Sequence, residues 1–165
     1  MLRRCGALHA AVLDDALPAR MRPGMNEQEI ARLYVEAVFA CGGNGMLRMS
    51  AHGEENFFGY ASAGTSGIYP TYYNGPLGCK GMCPAIPFMG DAERGWERGA
   101  PLSIDMGFNA EGYNTDRTQV YWSGPTASIP EEVRRAHAVC VEVFERTAAE
   151  LKPGAVPAKL WEQAC

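Results

Sequence analysis

One segment, residues 102–122, constrains the fold of this chain more than any other. Residues 102–106 alternate between apolar and polar, as a half-buried strand does. Residues 113–122 are rich in β-branched and aromatic side chains, which are typical of strands. We predict that residues 108–112 form the turn between them. The sequence therefore predicts a β-hairpin.

The predicted hairpin carries two acidic residues, Asp105 and Asp116, one on each strand. A turn that pairs Asn109 with Gly112 would place the two aspartates directly opposite each other, with Cβ atoms about 4.5–5.5 Å apart. Like charges at that distance are destabilising, and Asp is depleted in strands. One or two divalent cations would compensate for the repulsion. The alternative is a hairpin with two solvated acids on its outer face, because Asp is mostly exposed in proteins.

The motif Asp-x-Gly, followed by Gly-Tyr-x-x-Asp-x-Thr, resembles the metal-binding hairpin of the pita-bread metallopeptidases. This family, M24, includes methionine aminopeptidases, Xaa-Pro aminopeptidases and prolidases. The residues that fit the pattern and its spacing are Asp105, Gly107, Gly112, Tyr113, Asp116 and Thr118. Residues 99–101, and the Pro-Gly turn within residues 22–29, extend the resemblance. It implies an α+β pita-bread fold, of which this chain would hold the first half and the opening helices of the second.

The resemblance also implies a metal centre. Asp105 would ligate one metal ion and Asp116 would bridge two. A bridging carboxylate suits two divalent ions about 3.5–4 Å apart, which together activate water and bind both oxygens of a tetrahedral intermediate. Mn, Co, Zn and Fe all suit carboxylate and imidazole ligands, and the sequence does not choose among them. Thr118 and Tyr113 are candidates to orient the ligands, since hydroxyl groups often do so.

Two departures from the family pattern concern substrate recognition. The family's Asp-x-Thr-Arg ends here in Gln119, and the pocket His of proline-specific members has no counterpart in residues 64–78. Tyr72, Tyr73 and Asn74 are the candidates for the missing polar group. They lie in a Gly-rich, aromatic stretch whose side chains either fill the core or line a substrate pocket.

A pattern of helix, Pro-Gly turn and helix occurs twice. Its first copy joins helices predicted over residues 5–21 and 27–40, and its second joins helices over residues 131–151 and from 157 onward. The two prolines, Pro23 and Pro153, are 130 residues apart. We therefore expect residues 1–165 to be a partial catalytic domain, with a first repeat over about residues 5–124 and the start of a second over about 125–165.

In the family, the other half carries a His and two Glu that complete the metal site. His9, His52 and His137 do not lie where that His belongs, and nothing around them forms a ligand cluster. We therefore expect the chain to be a fragment of a larger protein.

Composition limits the remaining possibilities. A net charge of −4 and an isoelectric point near 5.4 give no electrostatic footprint for nucleic acid. No apolar run approaches the ~18 residues of a membrane span. The scattered cysteines are typical of a reduced, cytoplasmic protein. The resemblance adds a peptide substrate and a homodimer to these expectations.

The function that follows is that of a metal-dependent aminopeptidase or dipeptidase of the Xaa-Pro type. It would hydrolyse an N-terminal peptide bond with a dinuclear metal centre in the full-length protein, and the activity of the 165-residue chain alone is left open. The alternative is a non-catalytic pita-bread homologue that acts as a binding module, which Gln119 and the missing pocket His favour. A third interpretation is an unrelated α+β protein whose hairpin mimics the motif.

Overall fold

The structure is a computed structural model that describes residues 1–48, 55, 56, 58–71, 75, 77–83 and 89–165. It divides into two units, Met1–Gly124 and Pro125–Cys165. The candidate pocket residues Tyr72, Tyr73 and Asn74 lie outside the described residues, as does His52.

In the described part of the first unit, two α-helices precede the strands, and the second unit is helical. The helices are α1 (Leu2–Ala10), α2 (Glu27–Ala40), α3 (Glu131–Glu150) and α4 (Pro157–Ala164), and the strands are β1 (Leu47–Arg48), β2 (Glu55–Asn56), β3 (Gly59–Ala63), β4 (Pro101–Ala110) and β5 (Tyr113–Trp122). In the described part of the chain, no helix combines the length and apolarity that crossing a membrane requires.

The first unit is built on a three-stranded antiparallel sheet of order β3-β4-β5, with β4 in the centre. Helices α1 and α2 pack against one face of this sheet. The β4 side chains on that face are fully buried and form the middle of the core: Leu102, Ile104, Met106 and Phe108. Burial of each such side chain contributes about 1.5–3 kcal/mol.

Helix α2 begins where the sequence predicts, because Asn26 and Glu29 form a capping box. The Asn26 side chain accepts a hydrogen bond from the Glu29 amide at 2.8 Å, and the Glu29 carboxylate accepts one from the Asn26 amide at 2.9 Å. The buried side chains recur at helical spacing along one face: Ile30, Leu33, Tyr34, Ala37 and Val38.

The buried carboxylate of Glu27 joins α2 to the end of β3. One of its oxygens accepts a hydrogen bond from the Ala63 amide and the other from the Asp91 amide, both at 2.7 Å. Burial raises the pKa of Glu27, and these hydrogen bonds act in the opposite direction. The carboxylate therefore ties the start of α2 to the end of β3 and to the segment at Asp91.

The first helix differs in detail from the prediction over residues 5–21. Helix α1 starts earlier, at Leu2, and continues beyond Ala10 as a wider π-type turn over Ala11–Ala16. Val12 and Leu13 in this turn are buried, so the apolar pattern that predicted one long helix does mark a core-facing segment.

The predicted hairpin is present, but its turn is shorter than expected. Strand β5 has the predicted bounds, whereas β4 extends to Ala110 and leaves only Glu111 and Gly112 in the turn. Both turn residues have positive φ, 53° and 81°, as a two-residue type I′ loop requires. Phe108 therefore continues the core-facing alternation of β4 and does not enter the turn.

This shorter turn changes the strand register. Asp105 pairs with Thr118, and Asp116 pairs with Gly107. The predicted direct pairing of Asp105 with Asp116 is therefore wrong by two residues.

The second unit consists of α3 and α4, which pack on each other. Both helices match the predicted segments to within a residue at their described ends, and neither contains a buried residue. The apolar residues Val139, Phe144 and Trp161 are exposed on them.

Candidate metal-binding site

The hairpin presents two faces of opposite character. Because side chains alternate along a strand, Asp105 and Thr118 share a face with Asp116, and we name this the acidic face. The helix face is the other one, which carries Leu102 to Phe108 in alternation and is covered by α1 and α2. With the observed register, the two aspartates are diagonal neighbours, whose Cα atoms lie about 7–8 Å apart in an antiparallel pair.

Asp105 is half-buried and held on both sides by neighbouring strands. On the β5 side, the Thr118 hydroxyl donates to Asp105 Oδ1 at 2.7 Å. On the β3 side, its register partner is Tyr60. The structure therefore places Thr118 in contact with the carboxylate that it was expected to orient.

Tyr60 is a site residue that the sequence analysis missed. Its hydroxyl donates to the Leu77 carbonyl at 2.6 Å. Burial and the charge of Asp105 raise the pKa of Tyr60, so the phenol stays protonated beside the carboxylate. The pairing of β3 with β4 alone brings Tyr60 here, and no local motif marks it.

The backbone at Gly75 lies close to the side chains of Asp105 and Tyr60. A Cβ atom at this position would lie 2.8 Å from Asp105 Oδ2 and 2.9 Å from the Tyr60 hydroxyl oxygen, both closer than real Cβ contacts. A side chain at this position would therefore require the Asp105 carboxylate or the Tyr60 hydroxyl to move.

Asp116 lies on the outer strand of the described sheet and remains exposed. The surrounding protein removes part of its hydration, and this desolvation, followed by the negative charge of Asp105, raises the pKa of Asp116. The Arg117 amide acts in the opposite direction by donating a hydrogen bond. The two carboxylates therefore repel each other, and a cation bound between them would relieve this repulsion.

Tyr113, the other residue expected to orient a ligand, does not join this group. It pairs with Ala110, so its side chain falls on the helix-face side of the alternation, and it is exposed. Its carbonyl accepts a hydrogen bond from the Cys5 thiol at 3.0 Å.

Gln119, which stands at the position of the family's Arg, is also on the side of the hairpin away from the aspartates. Its side-chain oxygen accepts a hydrogen bond from Arg117 at 2.7 Å. Arg117 in turn binds both carboxylate oxygens of Asp14, at 2.9 and 3.1 Å. Arg117 is thus the cation next to Asp116 in sequence, and it is anchored to the α1 side of the molecule.

The acidic face offers oxygen donors of the kind that divalent cations prefer: two carboxylates and a hydroxyl. Among the described residues, no group of three or more His, Cys, Asp and Glu could hold a metal ion. His9 lies buried behind the helix face, and His137 is exposed on α3. The residues present therefore fit part of a divalent-metal site.

Comparisons with known structures identify proteins of similar fold. The chain is similar to the prolidase from Pyrococcus horikoshii OT3, with a TM-score of 0.69 and 16% identity over 99% of this chain and 38% of that one. It is also similar to the X-Pro aminopeptidase from Thermotoga maritima MSB8, with a TM-score of 0.62 and 21% identity over 88% of this chain and 33% of that one. The dipeptidase PepE from Mycobacterium ulcerans gives a TM-score of 0.63 and 21% identity over 88% of this chain and 31% of that one.

These likenesses confirm the α+β pita-bread fold class, and the chain spans about a third of the length of each of these proteins. The comparison with curated proteins gave no match. The sequence model of metallopeptidase family M24 matches residues 1–165, that is, the whole chain. The chain therefore belongs to metallopeptidase family M24.

Proposed function

We propose that this chain contributes Asp105 and Asp116 to the dinuclear metal centre of an Xaa-Pro-type aminopeptidase or dipeptidase, which hydrolyses an N-terminal peptide bond. The observation that carries the proposal is the position of both carboxylates on one face, close enough for the charge of Asp105 to raise the pKa of Asp116. Membership of family M24 supports the peptidase class. The pita-bread fold, shared with an X-Pro aminopeptidase and a prolidase, is consistent with it.

The side chains of the acidic face have different roles in the proposed metal binding. Thr118 engages Asp105 Oδ1 and so fixes the plane of that carboxylate. Asp116 is exposed and free to bridge. When bound, divalent ions at such a centre supply a water nucleophile at neutral pH and stabilise the negative charge of a tetrahedral intermediate.

The rest of the ligand set would have to come from outside the described residues, since no third ligand of these types joins the two aspartates there. Two carboxylates make a weak site. We therefore expect the 165-residue chain to bind Mn²⁺ with a roughly millimolar dissociation constant, as sparsely liganded cation sites do. Submicromolar binding would contradict the idea that this chain holds only part of the centre.

The test is an Mn²⁺ titration of the ¹⁵N-labelled chain, followed by paramagnetic broadening of backbone amide signals. In the wild type, we expect broadening centred on β4 and β5 at Asp105 and Asp116. The substitution Asp116→Asn keeps the shape of the side chain but removes its charge, and should weaken binding at least tenfold. Glu111→Gln is the matched control, because Glu111 is an exposed acid at the turn of the same hairpin that pairs with Arg4.

The outcomes separate the proposal from its alternative. Equal broadening in Asp116→Asn and in the wild type would overturn the metal role of the acidic face. The binding-module alternative, which Gln119 in place of the family's Arg favours, predicts no peptide cleavage by a protein that supplies the full ligand set. Cleavage of Xaa-Pro peptides by that protein with Mn²⁺, abolished by Asp116→Ala, would reject the binding module.

A further inference from the structure

A chain of buried hydrogen bonds runs behind the hairpin, on its helix face. The Nδ1 atom of His9 lies 3.0 Å from the Thr115 hydroxyl, and its Nε2 atom lies 3.0 Å from the Tyr34 hydroxyl. The Tyr34 hydroxyl donates to the Gly107 carbonyl at 2.7 Å. His9 and Tyr34 are both buried, and their contact with each other and the one to Gly107 lie in the core, whereas the contact to Thr115 is partly buried.

The direction of each hydrogen bond follows from the number of protons. Tyr34 has one hydroxyl proton, and the Gly107 carbonyl can only accept it. His9 Nε2 therefore carries a proton and donates to the Tyr34 oxygen. Burial, followed by the positive charge of Arg117, lowers the pKa of His9 to about 4, so the ring is neutral and Nδ1 is an acceptor. Thr115 must then donate to Nδ1.

The two ends of this chain attach to the hairpin at one place. Gly107 is the register partner of Asp116, and Thr115 is the residue before Asp116. The Gly107 amide also donates to the Phe58 carbonyl at 2.7 Å, so its peptide is held on both sides. The His9 ring stacks on Phe108, with centroids 5.8 Å apart. The chain of hydrogen bonds thus holds β4 and β5 together where Asp116 emerges on the other face.

We propose that His9 and Tyr34 are positioning residues that set the place of Asp116 relative to Asp105; this inference rests on the proposed function. A metal bridge between two carboxylates requires the backbone positions on which they are built to be held within a fraction of an ångström. Thr118 on the acidic face fixes Asp105, whereas His9 and Tyr34 act on the backbone that carries Asp116 and its register partner Gly107. The restraint on Asp116 therefore comes through its backbone, from the helices behind it.

The experiment compares two Tyr→Phe variants. Tyr34→Phe removes the donor to the Gly107 carbonyl and the acceptor of His9, whereas Tyr121→Phe removes a donor to the Leu13 carbonyl at 2.6 Å. Both hydroxyls tie the hairpin to the helical side of the unit, but Tyr121 is five residues from Asp116 along β5. In the Mn²⁺ titration, we expect the dissociation constant to rise about five- to tenfold in Tyr34→Phe and less than twofold in Tyr121→Phe.

A second pair of variants keeps the test informative if Tyr34→Phe does not fold. Thr115→Val removes the donor to His9 with little change of volume, and we expect it to weaken Mn²⁺ binding about threefold. Thr115→Ser keeps the hydroxyl and should restore the wild-type affinity. A general loss of packing would not be rescued by a smaller residue.

Each outcome bears on the inference. Wild-type affinity in both Tyr34→Phe and Thr115→Val, together with the expected loss in Asp116→Asn, overturns the positioning role and leaves the proposed function standing. Equal weakening in Tyr34→Phe and Tyr121→Phe also overturns it, because the effect then reflects stability alone. A wild-type chain that shows no Mn²⁺ broadening at the acidic face overturns both.

Discussion

The two faces of one hairpin differ in what they contribute to the protein. On the helix face, every second residue of β4 from Leu102 to Phe108 is fully buried. On the acidic face, Asp116 is partly desolvated and repelled by Asp105. The helix face therefore stabilises the fold, while the acidic face costs stability. The burial on the helix face therefore offsets the unfavourable pair of charges that the same hairpin carries on its acidic face.

The largest effect should follow a truncation on the helix face. Ile104→Ala empties a fully buried position next to Asp105 in the chain. We expect a loss of about 2–5 kcal/mol in the free energy of unfolding, from lost transfer energy and the cavity that remains. Chemical denaturation measures it. A loss below about 1 kcal/mol would mean that the helix face does not carry the stability of the hairpin.

The next effect concerns pH and His9. A His pKa that folding lowers from 6.5 to about 4 means that the unfolded chain binds the proton more tightly. Stability is therefore unaffected above pH 6.5 and falls as the pH drops from 6.5 toward 4. Between pH 7 and pH 4.5, this amounts to roughly 2–3 kcal/mol.

The variant His9→Gln isolates this contribution. Asp116 and Glu27 have raised pKa values, so their contributions to stability fall as the pH rises, opposite in sign to that of His9. Those contributions are common to both proteins and cancel in the difference. Denaturation curves at the two pH values should show the wild type losing more stability than His9→Gln. Parallel pH profiles would show that His9 is not a neutral, buried group in the folded chain.

A smaller effect is expected at Gly75 on the acidic face. Gly75→Ala would place a methyl group 2.8 Å from Asp105 Oδ2, so the carboxylate would have to move. We expect Mn²⁺ affinity to fall about threefold to tenfold, or roughly 1 kcal/mol, with little change in unfolding free energy. Gly67→Ala is the control, since its nearest contact would be an ordinary 3.4 Å to the Leu77 side chain. Equal Mn²⁺ affinities in the two variants would show that the Asp105 carboxylate can accommodate the added methyl group without losing its metal-binding position.

The difference between the faces also explains what the sequence could predict. Helix α2, with its Asn26 cap, strand β5 and helix α3 follow from local patterns, and all three appear close to their predicted bounds. Asp105, Asp116 and Thr118 were identified by a motif confined to one hairpin. Their metal role stays a prediction.

What the sequence could not predict depends on residues that are distant in the chain or on an unusual turn. The register error arose because Glu111 adopts positive φ, which Asn or Gly at that position would have signalled. Tyr60 reaches Asp105 through the pairing of β3 with β4. His9 reaches the hairpin directly at Thr115, 106 residues away, and also through Tyr34, which binds Gly107 73 residues further along the chain. No local pattern encodes such contacts.

The smallest expected change in stability is that of Asp116→Asn, and it distinguishes the role of the acidic face from that of the helix face. Asp116→Asn removes a carboxylate whose pKa is raised by desolvation and by Asp105, so at pH 7 its charge opposes folding. Replacing one of two neighbouring like charges should stabilise the metal-free chain by about 0.5 kcal/mol, within the range for cross-strand pairs.

The same substitution should weaken Mn²⁺ binding at least tenfold. If the charge of Asp116 serves to bind a cation, its removal should raise the stability of the metal-free chain and lower the affinity for Mn²⁺. If the charge instead supports the fold, its removal should lower both quantities. Denaturation of Asp116→Asn with and without Mn²⁺, beside the control Glu111→Gln, measures the two quantities on one sample. If Asp116→Asn is less stable than the wild type, Asp116 supports the hairpin itself. The conclusion that the helix face stabilises the fold while the acidic face opposes it would then be wrong.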